Sequence, residues 1–356
     1  MQALLAQTAL LSHGTTVATN VVGERRGAKL GLITTAGHGD ALLIMRAYGR
    51  AAGLSAAATL RFSVTAKPAP LVPRSLICEV PERIDSQGQI TVALDEPAVR
   101  HAVRVLVCAD VEAIAIAFLW SFRNPCHEQR AEAIVREEAP QLVVTCSHAL
   151  VPLLGEYERT VVTVLNCYVG PVRGCYVDSI ASRATTEGLT APFLPMQCNG
   201  GLSSARGAER SPLLLLQAGP CGGVVGATHL GQLLGYRNII ATDMGGTTFD
   251  VGLVYDDLPL RTTTTIVQQY EFCVPAIDIK SIGAGGGSIA WLDGERQALS
   301  VGPRSAGALP CPTCYRRGGN EPTVTDADVV LGLIDPDYFS ADARVLIATA
   351  PAPAQR

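Results

Sequence analysis

Asp243-Met244-Gly245-Gly246-Thr247-Thr248-Phe249-Asp250 is the stretch of this sequence best equipped for chemistry. It follows a short apolar run at 238–242 and leads into another at 250–255, so it reads as a tight turn between two strands. Adjacent glycines let a backbone approach a ligand closely and adopt positive φ. Successive N–H groups in such a turn make a concavity for an anion, and the threonine hydroxyls add donors. Asp243, at the end of the first strand, is placed to hold Mg2+ through water, and Mg2+ accompanies phosphates. Asp250 suits holding the threonine hydroxyls. This is the pattern of a phosphate-gripping turn in an ATP-using enzyme.

Two more glycine-rich segments flank it. Gly219-Pro220-Cys221-Gly222-Gly223 leads into an apolar helix at 224–234. It either receives an anion on free N–H groups at a helix start or packs that helix closely against a neighbour. Gly283-Ala284-Gly285-Gly286-Gly287-Ser288 lies between strand-like runs at 276–282 and 289–292. Its consecutive glycines clear side chains from the path of a ligand. It lacks the Lys-Ser/Thr pair of a Walker loop and the acidic partner of a dinucleotide fingerprint. His13, ahead of Gly14-Thr15-Thr16, suits either contact with substrate or phosphate or the capping of a turn. Asp278 suits either assistance to Mg2+ or an ion pair with Lys280. His127-Glu128 sits in a charged helical stretch and reads as a solvated face. Asp326 and Asp328 read as caps of a helix at 327–333. Cys311 and Cys314 lack the two further ligands a zinc site needs.

The elements that must position these groups alternate. Residues 29–35, 103–108, 113–119 and 142–145 read as short apolar strands, and 124–139 as a helix, which argues for an α/β fold with parallel strands. A proline-rich break at 68–73 introduces a small strand-rich insertion near 60–100, with strands at 75–80 and 89–94 around a polar turn at 85–88. Gly170-Pro171 is the expected boundary between a first lobe, 1–170, and a second, 171–340. Residues 341–356 read as a loose tail.

The 356 residues suffice for two domains, and 48% hydrophobic against 17% charged residues allows a large core. A net charge of −4 without a basic stretch argues against nucleic acid. No apolar run is long enough to span a membrane, and the apolar N-terminus reads as a helix, not a signal peptide. Eleven scattered cysteines fit reduced thiols in the cytoplasm.

Taken together, the motifs resemble the hydantoinase A/oxoprolinase family. The resemblance is carried by His13-Gly14-Thr15-Thr16-Val17-Ala18-Thr19-Asn20, by Trp120-Ser121-Phe122-Arg123-Asn124-Pro125 with His127-Glu128, and by Gly155-Glu156-Tyr157-Glu158-Arg159-Thr160. Asn199-Gly200-Gly201, the three glycine-rich segments and Gly302-Pro303-Arg304-Ser305-Ala306-Gly307 continue it. It implies an actin-like ATPase fold of two ribonuclease H-like lobes with ATP and Mg2+ bound. It also implies phosphoryl transfer to an amide or ketone oxygen. The implied partners are a small cyclic amide and a B-type subunit, in a hetero-oligomer. By the same resemblance Asp243, His13 and Asp278 are the catalytic candidates, with Asp243 toward the metal. Gly219, Gly222, Gly223, Gly245, Gly246, Thr247, Thr248, Gly283, Gly285, Gly286, Gly287 and Ser288 are the nucleotide-binding candidates. The family's first phosphate hairpin, of the Asp-x-Gly-Gly-Thr type, has no counterpart before His13, so the first lobe is expected to be incomplete and the chain truncated at both ends. Leu309-Pro310-Cys311-Pro312-Thr313-Cys314-Tyr315-Arg316 also departs from the family's Asp-Pro-Gly-Pro-Ala-Cys-Tyr-Gly pattern.

Overall fold

The computed structural model describes residues 2–336, apart from 24, 55–58, 60–64, 268, 294–297 and 308. The expected tail at 341–356 lies outside the described residues. The chain divides into two compact units, one of Met1–Gly222 with Arg261–Ile277 and the other of Gly223–Leu260 with Asp278–Arg356.

The first unit is built on a parallel sheet in the order β2-β1-β3-β4, formed by β1 (Leu30–Thr35), β2 (Ile77–Val80), β3 (Ala113–Ala117) and β4 (Val143–Cys146). Every residue of β1 and β3 is buried, as unbroken apolar runs covered on both faces should be. Residues 103–108, expected as a strand, belong instead to helix α1 (Glu96–Cys108). Asp95 caps that helix through Ala98 N–H at 2.9 Å, a proline occupies its first turn, and Val99, Ala102, Val103 and Leu106 form one buried stripe. A six-residue apolar run cannot separate strand from helix; the cap and the stripe around it decide. The helix lies so close to β1 that a Cβ at Gly31 would stand 2.4 Å from Leu106 Cδ2.

Helix α2 (Cys126–Glu138) follows β3, and helix α3 (Glu156–Thr186) runs through Gly170-Pro171 without a break, so no division falls there. Among the described residues of the 60–100 region, β2 joins the main sheet, and Arg83–Ile84 and Ile90–Val92 form a separate hairpin.

The glycines at 219–223 lie inside helix α4 (Ala218–Leu234), not in a loop before it. Gly222 closes the first unit's long segment and Gly223 opens the second unit. In the second unit, β5 (Ile239–Met244) and β6 (Phe249–Tyr255) form an antiparallel hairpin, extended by β7 (Ile279–Ile282) on the far side of β6. Gly252 faces α4, where a Cβ would stand 2.3 Å from Val224 Cγ2. The ribbon of β8 (Ser288–Asp293) and β9 (Ala298–Ser305) and the short helix α5 (Val324–Val330) complete the described part.

Candidate functional site

Met244 pairs with Phe249 at the last rung of the β5–β6 hairpin, which leaves Gly245–Thr248 as the turn. Gly245 N–H donates to Thr248 O at 2.9 Å and closes it. The glycine-rich loop 283–288 folds beneath. Gly286 N–H donates to Gly245 O at 2.9 Å, Gly287 N–H to Gly246 O at 2.6 Å, and Gly285 N–H to Thr247 O at 3.2 Å. The N–H groups of Gly285, Gly286 and Gly287 are therefore spent on the hairpin, not offered to a ligand. Its glycines are demanded by proximity: a Cβ at Gly285 would lie 2.6 Å from Gly245 O and Thr248 N, and one at Gly287 would lie 2.7 Å from Gly246 O.

This packing orients the turn. A trans peptide points its C=O and N–H in opposite directions. The Gly245 carbonyl shares a peptide with Gly246 N–H, and the Gly246 carbonyl with Thr247 N–H. With both carbonyls drawn to the loop, both N–H groups face away from it. Among the described residues no group accepts a hydrogen bond from either, and both residues are exposed. Two adjacent, co-oriented and unspent donors make an anion nest.

The carboxylates occupy one rung. Asp243 stands directly opposite Asp250, and Asp250 opposite Ser281, across β5, β6 and β7. Asp250 accepts from Thr248 Oγ–H at 3.3 Å and from Ser281 Oγ–H. Asp243 is exposed and has no hydrogen-bond or ion-pair partner among the described residues. Like charges directly opposite in an antiparallel pair repel, with Cβ atoms about 5 Å apart. A divalent cation beside Asp243 would relieve that repulsion, so the donor set suits Mg2+. Beside the turn, a cavity of about 270 Å³ is lined by Ile289, Arg304, Ser305, Pro310, Cys311 and Glu321, among others. Ser305 Oγ–H reaches Gly246 O at 3.5 Å, so the cavity lies on the carbonyl side of the turn.

The other candidates lie elsewhere. Asp278 pairs with Lys280 at 2.9 Å. It precedes Ser281 by three residues, about 10 Å along an extended chain, so it is not on the rung of Asp243. His13 belongs to the first unit, where Nε2 lies 3.1 Å from Tyr176 Oη and the ring stacks on Phe193. Its turn packs on the start of α4: a Cβ at Gly14 would be 3.0 Å from Ala218 O, and one at Gly219 would be 3.5 Å from Thr16 Cγ2. Gly222 likewise makes room for Met196. Gly219 and Gly222 thus allow close packing. Asp326 caps α5 in a reciprocal box with Thr323.

A second polar cluster, in the first unit, is not signalled by charge patterning. Glu128 is fully buried. It accepts from Phe118 N–H at 2.8 Å, Ser147 Oγ–H at 2.5 Å, His148 N–H at 2.9 Å and His148 Nδ1 at 2.7 Å. Arg159, 2% exposed, donates to Phe118 O and Ser147 Oγ and lies over the Phe122 ring. Burial pulls its guanidinium pKa down, and the nearby Glu128 and Glu156 carboxylates oppose this. His127 pairs with the buried Glu82 at 2.8 Å. His127-Glu128 is therefore a buried pair, not a solvated face. The signal available was helical spacing, since Glu128 shares its stripe with Ala131, Ile134 and Val135. Glu128, Cys146 and His148 bring potential metal-ligating atoms within 4.8 Å of one another. Both Glu128 oxygens are already taken, and burial raises the Cys146 thiol far above its ordinary pKa. The cluster is a structural hub, and it joins the two motif stretches around Phe122 and Arg159.

Comparison with known proteins places the chain. The hydantoinase/oxoprolinase model matches residues 159–350, and the hydantoinase/oxoprolinase N-terminal region model matches residues 4–139. The chain belongs to the hydantoinase/oxoprolinase family. It is 40% identical over 345 residues to the acetophenone carboxylase gamma subunit of Aromatoleum aromaticum, covering 95% of this chain and 47% of that one. It is also 40% identical over 332 residues to caprolactamase subunit alpha of Pseudomonas jessenii, covering 93% and 47%. Among solved structures, nucleotide-free acetone carboxylase superposes with a TM-score of 0.84 at 32% identity, covering 98% of this chain and 49% of that one. The chain thus spans about half the length of these relatives. The mixed α/β architecture is shared with them and is consistent with an actin-like ATPase fold. No described helix is long and apolar enough to cross a membrane.

Proposed function

We propose that this chain binds Mg·ATP through the Gly245–Thr248 turn and serves as the nucleotide-using part of an ATP-dependent cyclic amidohydrolase, acting on a substrate of the hydantoin or 5-oxoproline class. The observation that carries this reading is the pair of unspent N–H donors at Gly246 and Thr247, held beside the unpartnered Asp243. The terminal phosphates rest on the two N–H groups. Asp243 would hold Mg2+, which would neutralise charge on the phosphates.

The amide is a poor electrophile. Its oxygen attacks the γ-phosphorus, the new P–O bond forms as the bond to ADP breaks, and the carbonyl carbon becomes an imidate phosphate. Water then adds to that carbon, the C–N bond breaks as the ring nitrogen leaves with a proton, and a second water cleaves the resulting acyl phosphate to carboxylate and inorganic phosphate. The chain's own share is to bind, orient and balance charge at the phosphoryl group. A B-type partner in a cytoplasmic hetero-oligomer completes the hydrolysis. The 40% identity to an acetophenone carboxylase subunit supports a second reading, in which a ketone enol oxygen is phosphorylated ahead of carboxylation. Substrate-dependent ATP turnover by the chain with its partner subunit separates them. Stimulation by hydantoin, 5-oxoproline or a lactam supports the first, and stimulation by acetone or acetophenone with bicarbonate supports the second. ATP turnover indifferent to all of these would sink both.

A further inference from the structure

Thr325 sits at the start of α5, outside every glycine-rich segment. Its N–H donates to Gly286 O at 2.8 Å, and its Oγ–H donates to the same oxygen at 2.8 Å. Gly286 C=O and Gly287 N–H are the two ends of one peptide unit, and Gly287 N–H donates to Gly246 O at 2.6 Å. Gly246 C=O and Thr247 N–H are in turn the two ends of the next unit in the series. The path therefore runs from Thr325 through peptide 286–287 to peptide 246–247, and ends on a donor facing open space. Hydrogen bonds in such a series polarise one another and fix each plane.

Thr325 is itself held firmly. It is 7% exposed. Its neighbour Asp326 accepts from Thr323 N–H at 2.9 Å, Cys314 N–H at 2.7 Å and Thr313 N–H at 3.3 Å.

We propose that Thr325 is a positioning residue for phosphate binding: its double donation to Gly286 O sets the orientation and acidity of the Thr247 N–H. The inference rests on the reading of the hairpin as a phosphate site and adds the residue that tunes it. It assigns the hydroxyl of Thr325 to the triphosphate and not to the nucleoside.

The test is calorimetric titration of the full chain with Mg·ATP and, separately, with magnesium tripolyphosphate. Thr325→Val keeps the shape and the N–H but removes the hydroxyl, and it should weaken both ligands by the same factor, about three- to tenfold for one hydrogen bond. Thr325→Ser should restore both. Gly286→Ala is an independent variant, because its methyl would meet Thr325 Oγ at 2.7 Å and displace the hydroxyl; it should act in the same direction. If the soluble variants bind both ligands as the parent does, or lose ATP while keeping tripolyphosphate, Thr325 has no such role. If the parent binds neither ligand, the phosphate reading of the hairpin falls and the inference with it.

Discussion

Replacing Glu128 by glutamine removes one charge and changes almost no volume, yet it should destabilise the first unit severely. The carboxylate receives donors on both oxygens: Phe118 N–H and Ser147 Oγ–H on one, His148 N–H and Nδ1 on the other. An amide has one accepting oxygen, so its NH2 must face one of these donor pairs. Turned toward Phe118 and Ser147, it leaves the Phe118 N–H buried and unpaired even if the serine rotates. Turned toward His148, it opposes two N–H groups. A stranded buried N–H costs about 1–3 kcal/mol, and each lost bond to a charged group about 1.5–3 kcal/mol. The buried Arg159 also loses one of its two countercharges, leaving Glu156. A total near 4 kcal/mol should lower the melting midpoint by about 8–16 °C for a unit of this size. Calorimetry of Glu128→Gln beside Glu132→Gln supplies the comparison. Glu132 pairs with the exposed Arg136 one turn away, and its loss should cost less than about 0.5 kcal/mol. A Glu128→Gln midpoint within about 2 °C of the parent would show that the four contacts do not carry the hub.

Asp243→Asn should weaken Mg2+-dependent ATP binding by about 10- to 100-fold, the scale of a lost charge-assisted contact, while leaving metal-free tripolyphosphate binding within a few-fold; paired titrations with and without Mg2+ read this. Asp326 supplies a pH test. Burial pushes its carboxyl up, but the Cys314 and Thr323 donors together outweigh this and hold it below the ordinary aspartate value. A depressed folded pKa gives stability that is present above the unfolded pKa, near 4, and lost as pH falls through the folded one. Asp326→Asn should therefore melt earlier than the parent at pH 7, with the gap closing toward pH 3. Thiol reactivity follows burial: Cys108 is exposed, whereas burial lifts the Cys167 thiol to about 12 and Cys198 to about 11. Iodoacetamide at pH 7.5 should label Cys108 in the native protein and reach Cys146, Cys167 and Cys198 only after denaturation, as read by peptide mass spectrometry.

The hairpin turn at 245–248 and the parallel strands at 30–35, 113–117 and 143–146 were legible because each has a local cause. Adjacent glycines between two apolar runs mark a tight turn between strands, and unbroken β-branched and alanine runs favour a sheet buried on both faces. Residues 103–108 failed for want of a local cause: the apolar run alone is neutral between helix and strand, and the deciding cap at Asp95 lies eight residues upstream. The lobe boundary failed differently. Gly170-Pro171 looks like a break, yet a long helix packed against the sheet absorbs both residues, a tertiary effect that propensity does not register. His127-Glu128 misled through charge, because a charged residue on an apolar stripe looks solvated until its donors are known.

The two polar centres are secured by opposite means, and this governs how each should tolerate substitution. Around Glu128 the first unit uses side chains, so identity at Ser147, His148 and Arg159 decides whether every donor has an acceptor. Around the hairpin the second unit uses backbone, with three carbonyls of the turn held by three N–H groups of the glycine loop. At the loop glycines the constraint is space: at Gly285 and Gly287 any Cβ collides with hairpin backbone that cannot yield. A methyl added at Gly246 would meet nothing within 4 Å, and φ there is not positive, so alanine should be accommodated sterically. Gly285→Ala should abolish phosphate binding, whereas Gly246→Ala should leave tripolyphosphate affinity within a few-fold of the parent. Equal loss in both would mean that the glycines serve the ligand directly and that the loop does not act by aiming the hairpin.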